Sequence, residues 1–167
     1  GDLDGGLQVT TQVGRRNIFN TVRSVYVEPS NLYQPTDAPV IKNSTYLTED
    51  QSEVIARDFD WSFTTSSATA QRLSKIELEK VRQQITVLMP VSLKNGMRLQ
   101  AGDTVSITNT RMGWSAKVFL IEEWSFAKRG QADAPTLAVD LVLRETASTV
   151  YTWESSEETA FDAAPDT

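Results

Sequence analysis

Apolar and polar positions along this chain fall into several short alternating runs and one long helical run. Leu7-Gln-Val-Thr-Thr-Gln-Val13 alternates and reads as an edge strand or an arm. The stretch from Phe19 to Val27 predicts a strand, and its alternation fails between Val22 and Val25, which implies a bulge or register change there. Glu28-Pro-Ser-Asn supplies turn chemistry after it. A loop is expected next, then a short strand within Pro39 to Leu47, with a helical turn beginning at Thr48. Val54 to Phe63 alternates through Val54, Ala56, Phe59, Trp61 and Phe63, and reads as a strand with a slip near position 57.

The long helix is expected over residues 66–84, behind N-cap hydroxyls at Thr64, Thr65 and Ser66. At about 100° per residue, Ala70, Leu73, Leu78, Val81 and Ile85 share a broad face with Ile76 at its edge. Arg72, Lys75, Glu79 and Arg82 then lie opposite. Glu77 projects within the apolar arc, as a rim carboxylate paired with a neighbouring cation or as a polar contact at a subunit interface. Gln84 to Val91 predicts a strand closed by Pro90, and Lys94-Asn95-Gly96 a tight turn. A turn at Ala101-Gly102-Asp103 leads into a strand reaching Thr108, and Asn109 to Gly113 turns again. Trp114 to Phe126 is apolar on both faces, as a central strand would be. Lys128 to Pro135 reads as a loop, and Thr136 to Thr146 as a one-sided strand with Leu137, Val139, Leu141 and Leu143 inward. Beyond Val150, Tyr151 and Trp153 are candidates to dock on the domain. The acidic, proline-containing stretch 154–167 has linker or tail composition.

The fold class expected from this order is mainly β (α+β), an antiparallel β-barrel-like sheet with one long packed α-helix. Residues 1–16 are assigned to an N-terminal arm or edge strand, 17–153 to one domain, and 154–167 to an acidic linker or tail. The start of the chain, without Met, suggests a piece excised from something longer.

Composition narrows the chemistry. The 167 residues include no cysteine and no histidine, which removes disulfides, thiolate nucleophiles, imidazole bases and the commonest zinc ligand. The formal charge of -6 is opposed to bulk attraction for phosphate backbones, and no specific nucleic-acid binding is expected. No apolar run is long enough for a membrane helix. Paired carboxylates remain the one catalytic option. Asp58 and Asp60 share a strand face beside Phe59 and Trp61, an arrangement that two-carboxylate sugar hydrolysis can use, although acidic domains supply such neighbours by chance. Glu122 and Glu123 point to opposite faces. Gly102-Asp103 lacks the oxygen-rich spacing of a calcium loop and reads as a solvated turn. Asn43-Ser-Thr fits the N-glycosylation pattern without any sign of secretion. The balance is a scaffold and not an enzyme, with no cofactor and no metal.

Several segments in order, NIFNTVRSVYVEPSNLYQ, DFDWSFTTSSATAQRLSKIELEKVRQQ, LKNGMRLQAGDTVSITNTRMGW, KVFLIEEWSF and LRETASTVYTW, are similar to the central region of the lambda-type tail tip attachment proteins. These are the baseplate hubs of long non-contractile phage tails. The likeness runs over about residues 17–153, and its specificity lies in the combination of segments. It implies a hub domain related to the barrel-bearing hub of contractile tails. Such a domain forms or supports a trimeric ring at the end of the tail tube, around the tape-measure end and then the DNA exit path. Implied partners are further copies in a homotrimer and the distal tail, tape measure and tip proteins. The implied location is the virion tail tip, reached by assembly in the bacterial cytoplasm. An acidic lumen would let DNA slide by like-charge repulsion. The family offers no catalytic residue to carry over. Arg72, Glu77, Trp114 and Trp124 are the expected interface residues, with core or solvated surface as the alternative for each. The competing function is an adhesion module that binds a host-surface glycan through exposed Trp and Tyr.

Overall fold

The computed structural model describes residues 6–11, 14–131 and 134–160. In chain order its main elements are strands β1 (Gln8–Thr10), β2 (Thr21–Glu28) and β3 (Gln34–Lys42), helix α1 (Ser44–Glu49), strand β4 (Ala56–Trp61), helix α2 (Ser67–Arg82), strand β5 (Thr86–Ser92), the short helix α3 (Leu93–Gly96), and strands β6 (Thr104–Asn109), β7 (Trp114–Gln131) and β8 (Ala134–Glu145). They divide between two compact units. One combines the first segment, up to residue 13, with Gln83–Ala147; the other combines Gly14–Arg82 with the stretch from Ser148 onward.

The first unit is a curled antiparallel sheet in the order β1-β5-β8-β7-β6. The mainly β class expected from the sequence is the one observed. The inner face gathers Val87, Val91, Phe119, Ile121, Val139, Leu141 and Leu143 into one core. Strand β7 is long enough to serve two partners, and its register against β8 shifts between Ile121 and Glu123. That extra residue changes which parity faces inward. Phe119 and Ile121 point to the core before the bulge, and Trp124 packs on it after the bulge. Three local expectations are corrected here. Residues 128–131 and 134–135 extend the β7–β8 ladder, with Arg129 opposite Thr136 and Gly130 opposite Pro135, where a loop was expected. Pro90 lies inside β5 instead of closing it; β1 covers only Thr86 to Leu88, so the missing N–H of Pro90 falls where β5 has β8 alone as partner. Lys94-Asn95-Gly96 forms part of α3 and not a hairpin turn. Gly96 is there for closeness: a Cβ on it would lie 2.5 Å from Val139 Cβ and Cγ2.

The second unit is a three-stranded sheet in the order β3-β2-β4, with β2 antiparallel to β3 and parallel to β4. The register of β2 against β3 shifts between Val22 and Ser24, where alternation had failed. Its inward residues Val22, Ser24 and Tyr26 are buried, and α2 supplies Ala70 and Leu78 to the same cores. The long helix therefore packs on this sheet. Ser66 caps it, accepting from Thr69 N at 3.3 Å. Its buried row is Ala70, Gln71, Ser74 and Leu78, while Leu73 is half-buried and Ile85 joins the core of the other unit. Small and hydroxyl side chains let helix and sheet approach. Ser74 Oγ donates to Ser24 Oγ at 3.0 Å and accepts from Trp61 Nε1 at 3.1 Å, so no buried donor there is wasted. Strand β3 starts earlier than expected, and residues 44–47 are helical where a strand was expected, running into the helical turn expected at Thr48, because Asn43 Oδ1 accepts from Thr45 N at 3.0 Å and Tyr46 N at 3.3 Å. The two prolines of β3 are tolerated because it is an edge strand. Val54 and Phe63 lie outside β4 and are exposed.

Gly96→Ala is expected to overpack the β8 core and destabilise the first unit by about 1–3 kcal/mol. A lowered urea midpoint, partly restored by adding Val139→Ala, would check it.

Candidate functional site

The sequence-derived interface residues divide between the two units. Arg72 is exposed on α2. Glu77 is half-buried and paired with Lys80 at 3.1 Å, the rim pairing anticipated for it. Trp114 and Trp124 lie on β7, in the other unit. Trp114 is half-buried against Phe119, with ring centroids 5.2 Å apart. Trp124 is also half-buried and donates from Nε1 to Gly96 O at 2.8 Å. Asp58 and Asp60 are exposed on the outer face of β4, whereas Phe59 and Trp61 stack on each other 5.5 Å apart on the inner face. The carboxylates and aromatics thus lie on opposite sides of one strand and make no common cleft. Asp103 accepts from Gln100 N at 3.0 Å as a turn cap.

The densest polar arrangement was placed wrongly by the helical wheel. Arg82 and Glu79 do not face solvent. The Arg82 side chain is 9% exposed and forks onto Asp50, with Phe19 O 3.3 Å from one nitrogen. Its guanidinium carbon sits 4.5 Å from the Tyr46 ring centroid. Asn20, fully buried, donates to Asp50 Oδ2 at 2.8 Å and Glu53 O at 2.7 Å, and accepts from Ile55 N at 3.0 Å. Tyr46 donates to Glu79, whose other oxygen accepts from Asn43 Nδ2 at 3.1 Å. Burial, then the bond to Glu79, raises the Tyr46 phenol well above its ordinary range. On β2, burial followed by the Glu28 contact pushes Tyr26 up to about 12.

A second polar arrangement holds the segment after Val150 on α2. Gln71 Nε2 donates to Thr159 O and Gln71 Oε1 accepts from Thr159 N, each at 2.9 Å, so a side-chain amide pairs with backbone as a strand would. Lys75 binds Thr152 O at 3.1 Å, pairs with Glu157 and lies 5.7 Å from the Trp153 ring centroid. The hydrogen bond from Lys75, then that from the Glu154 backbone, holds the Glu157 carboxyl below its ordinary value. Between this segment, α2 and β3 is a cavity of about 330 Å³. Lys42 lines it as well, and the other charged groups there, Lys75, Glu79 and Glu157, are engaged with one another or with neighbouring residues. Among the described residues no three metal-ligating side chains gather.

Two apolar surfaces went unnoticed in the sequence. In the second unit Leu32, Tyr33 and Phe63 are exposed by 83%, 66% and 106%, and both Leu32 and Tyr33 have positive φ, 53° and 58°. In the first unit an open groove of about 530 Å³ is lined by Met97, Leu99, Gln100, Ala101, Trp124 and Phe126. Alternation flagged Phe63 as a strand residue, but apolar identity alone does not tell an inward side chain from an outward one.

No protein-family model matches the chain. It is 27% identical over 150 residues to the baseplate hub protein pb3 of Escherichia phage T5, across 90% of this chain and 15% of that protein. The chain therefore spans less than a sixth of this relative's length. Its fold is similar to that of a tail protein from Neisseria meningitidis MC58, with a TM-score of 0.54 at 16% identity over 86% of this chain and 39% of that one. A 43 kDa tail protein of prophage MuSo2 from Shewanella oneidensis aligns with a TM-score of 0.47 at 11% identity, over 84% and 40% of the respective chains.

Arg82→Ala should cost about 3–5 kcal/mol, because it leaves Asp50 partly buried without its guanidinium. Arg82→Lys should recover only part of that, lacking the fork; urea titration of both variants measures it. Glu157 has a depressed carboxyl pKa, so its contribution is present above the ordinary 4.5 and is lost as pH falls through the lower folded value. Acid titration of tryptophan fluorescence should report release of the Trp153 segment in that window, with the transition absent in Glu157→Gln.

Proposed function

We propose that this chain is a structural, non-enzymatic module of a phage or prophage tail, a baseplate hub domain at the end of the tail tube. The observation that carries the reading is the sequence likeness to a phage baseplate hub protein across 90% of the chain. The mainly β fold shared with a bacterial tail protein supports it. On this reading the domain 17–153 forms or supports a trimeric ring and meets the distal tail, tape measure and tip proteins in the virion. The residues from 154 lead towards further parts of the same protein. Arg72 and Glu77 on α2, and Trp114 and Trp124 on β7, are the candidate contacts on this reading.

The glycan-adhesion reading draws less support from the tryptophans. Trp61 is hydrogen-bonded to Ser74, Trp114 packs on Phe119, Trp124 is bonded to Gly96 and Trp153 lies against Lys75, so each ring has an internal role. Tyr33 and Tyr151 are the exposed aromatic hydroxyls left to it.

Immunogold labelling of virions with antibody raised against this chain is expected to mark the distal end of the tail. Label elsewhere on the particle, or binding of the isolated chain to host cells through Tyr33 or Tyr151, would overturn the hub reading.

A further inference from the structure

We propose that β7 pairs edge to edge with β7 of a second copy of this chain, antiparallel, with Ala127 facing Ala127 across a two-fold axis. Strand β7 is longer than its cover. Strand β6 reaches only from Trp114 to Leu120, and one further residue is held by Gly102 N donating to Ile121 O at 2.8 Å and Ile121 N donating to Asp103 O at 2.9 Å. From Glu123 to Gln131, β7 pairs with β8 alone. Two prolines show which way its backbone groups point. Pro90 has no N–H and lies opposite Asp140, so that pair carries no ladder bonds and the groups of Asp140 turn to Ser125 of β7. Pro135 opposite Gly130 gives the same parity. Ser125, Ala127 and Arg129 therefore bond to β8, whereas Trp124, Phe126, Lys128 and Gly130 direct N–H and C=O away from it. Among the described residues, no strand, turn or side chain bonds to these outward groups. Such an edge is a template for another strand. Phe126 and Leu137, 59% and 58% exposed, share one face of the same two-stranded ribbon.

The second copy is the occupant because these outward residues complement themselves. Turned about Ala127, Trp124 meets Gly130 of the copy and Phe126 meets its Lys128, so every outward residue faces another outward residue. A shift towards Ile121 sets Gly130 of the copy against the bulge at Glu122 and its hairpin end against Gly102. A shift the other way takes Trp124 out of the set. The side chains agree with the central register. Gly130 leaves undisturbed the indole that Trp124 holds on Gly96 O. The Phe126 ring receives an ammonium group. On the other face Ala127 meets only Ala127, and Ser125 meets Arg129. Glu123, exposed, comes diagonal to Arg129 of the copy, whose Nε finds no acceptor among the described residues. Within the paired stretch the like-charge approach is between the two Lys128 side chains, diagonal to each other and each beside the Trp124 and Phe126 rings of the other copy.

The contact uses one patch on both copies, so it closes a pair and propagates no further. It describes the chain in solution and stands apart from the hub reading, since a three-fold ring is built from other surfaces.

The chain has no cysteine, so single-cysteine variants are specific probes. Position 127 faces itself in a pair without ladder bonds, where the two Cα atoms stand about 4.5 Å apart, within reach of a disulfide. Under mild oxidation Ala127→Cys is expected to form a disulfide-linked dimer about tenfold faster than Ser125→Cys, whose two sulfurs this register keeps apart. In light scattering across a concentration series, the unmodified chain should rise from the mass of one copy to that of two. Lys128→Pro removes an N–H that the single copy does not use and should abolish that rise. Equal rates for the two cysteine variants, a faster dimer with Ser125→Cys, or a single-copy mass at every concentration would overturn the proposal. A three-copy mass without the Ala127→Cys disulfide would overturn it too, while leaving the hub reading to the labelling of virions.

Discussion

The second unit depends on one buried arrangement, the clasp of Arg82 on Asp50 with Asn20 behind it. Asn20 leads into β2, Asp50 closes α1, Ile55 leads into β4 and Arg82 ends α2. Four elements are pinned here by donors and acceptors of definite direction, beside the bonds of Ser74 to Ser24 and Trp61 and of Tyr46 to Glu79. Hydrophobic contacts at Phe19, Val22 and Leu78 supply most of the attraction but tolerate sliding. The clasp does not, since a misplaced register leaves a charged group desolvated without its partner. Directional bonds of this kind explain how a short mixed sheet and one helix hold a single arrangement.

Much of the fold was legible. The break in alternation between Val22 and Val25 marked a real register shift, and the hydroxyls before Ser67 marked a real helix start. What failed shares a cause: long-range partners reversed a local preference. Gln71 and Ser74 were not among the residues expected on the buried face but are buried, because their partners, Thr159 and Ser24, stand 88 and 50 residues away in sequence. Arg82 and Glu79 read as solvent-facing for the same reason. Pro90 read as a terminator because nothing local says how short β1 is. Gly96 read as a hairpin glycine because its closeness to Val139 is a tertiary fact.

The candidate surfaces were less legible than the fold. A helical wheel and a strand alternation both assume that apolar means inward, so they place Phe63 and Phe126 in a core. The two tryptophans expected at an interface make contacts within their own unit, Trp124 with Gly96 and Trp114 with Phe119. Aromatic identity marks places where much area is buried, within the chain or against another, and a single sequence does not separate the two.

Both units are discontinuous along the chain, and this bears on how the molecule is made. The sheet of the first unit includes β1, from the start of the sequence, although its other strands follow Arg82. The second unit has its strands and helix early, yet waits for Thr152, Glu157 and Thr159 to cover α2. A nascent chain emerging from the ribosome can complete neither unit from one contiguous stretch. Until residues near 160 are released, Gln71 and Lys75 lack the partners that bury them. The long helix therefore stays open on one side until those residues have left the ribosome, and a ribosome stalled shortly before that point holds a chain whose helix is not yet covered.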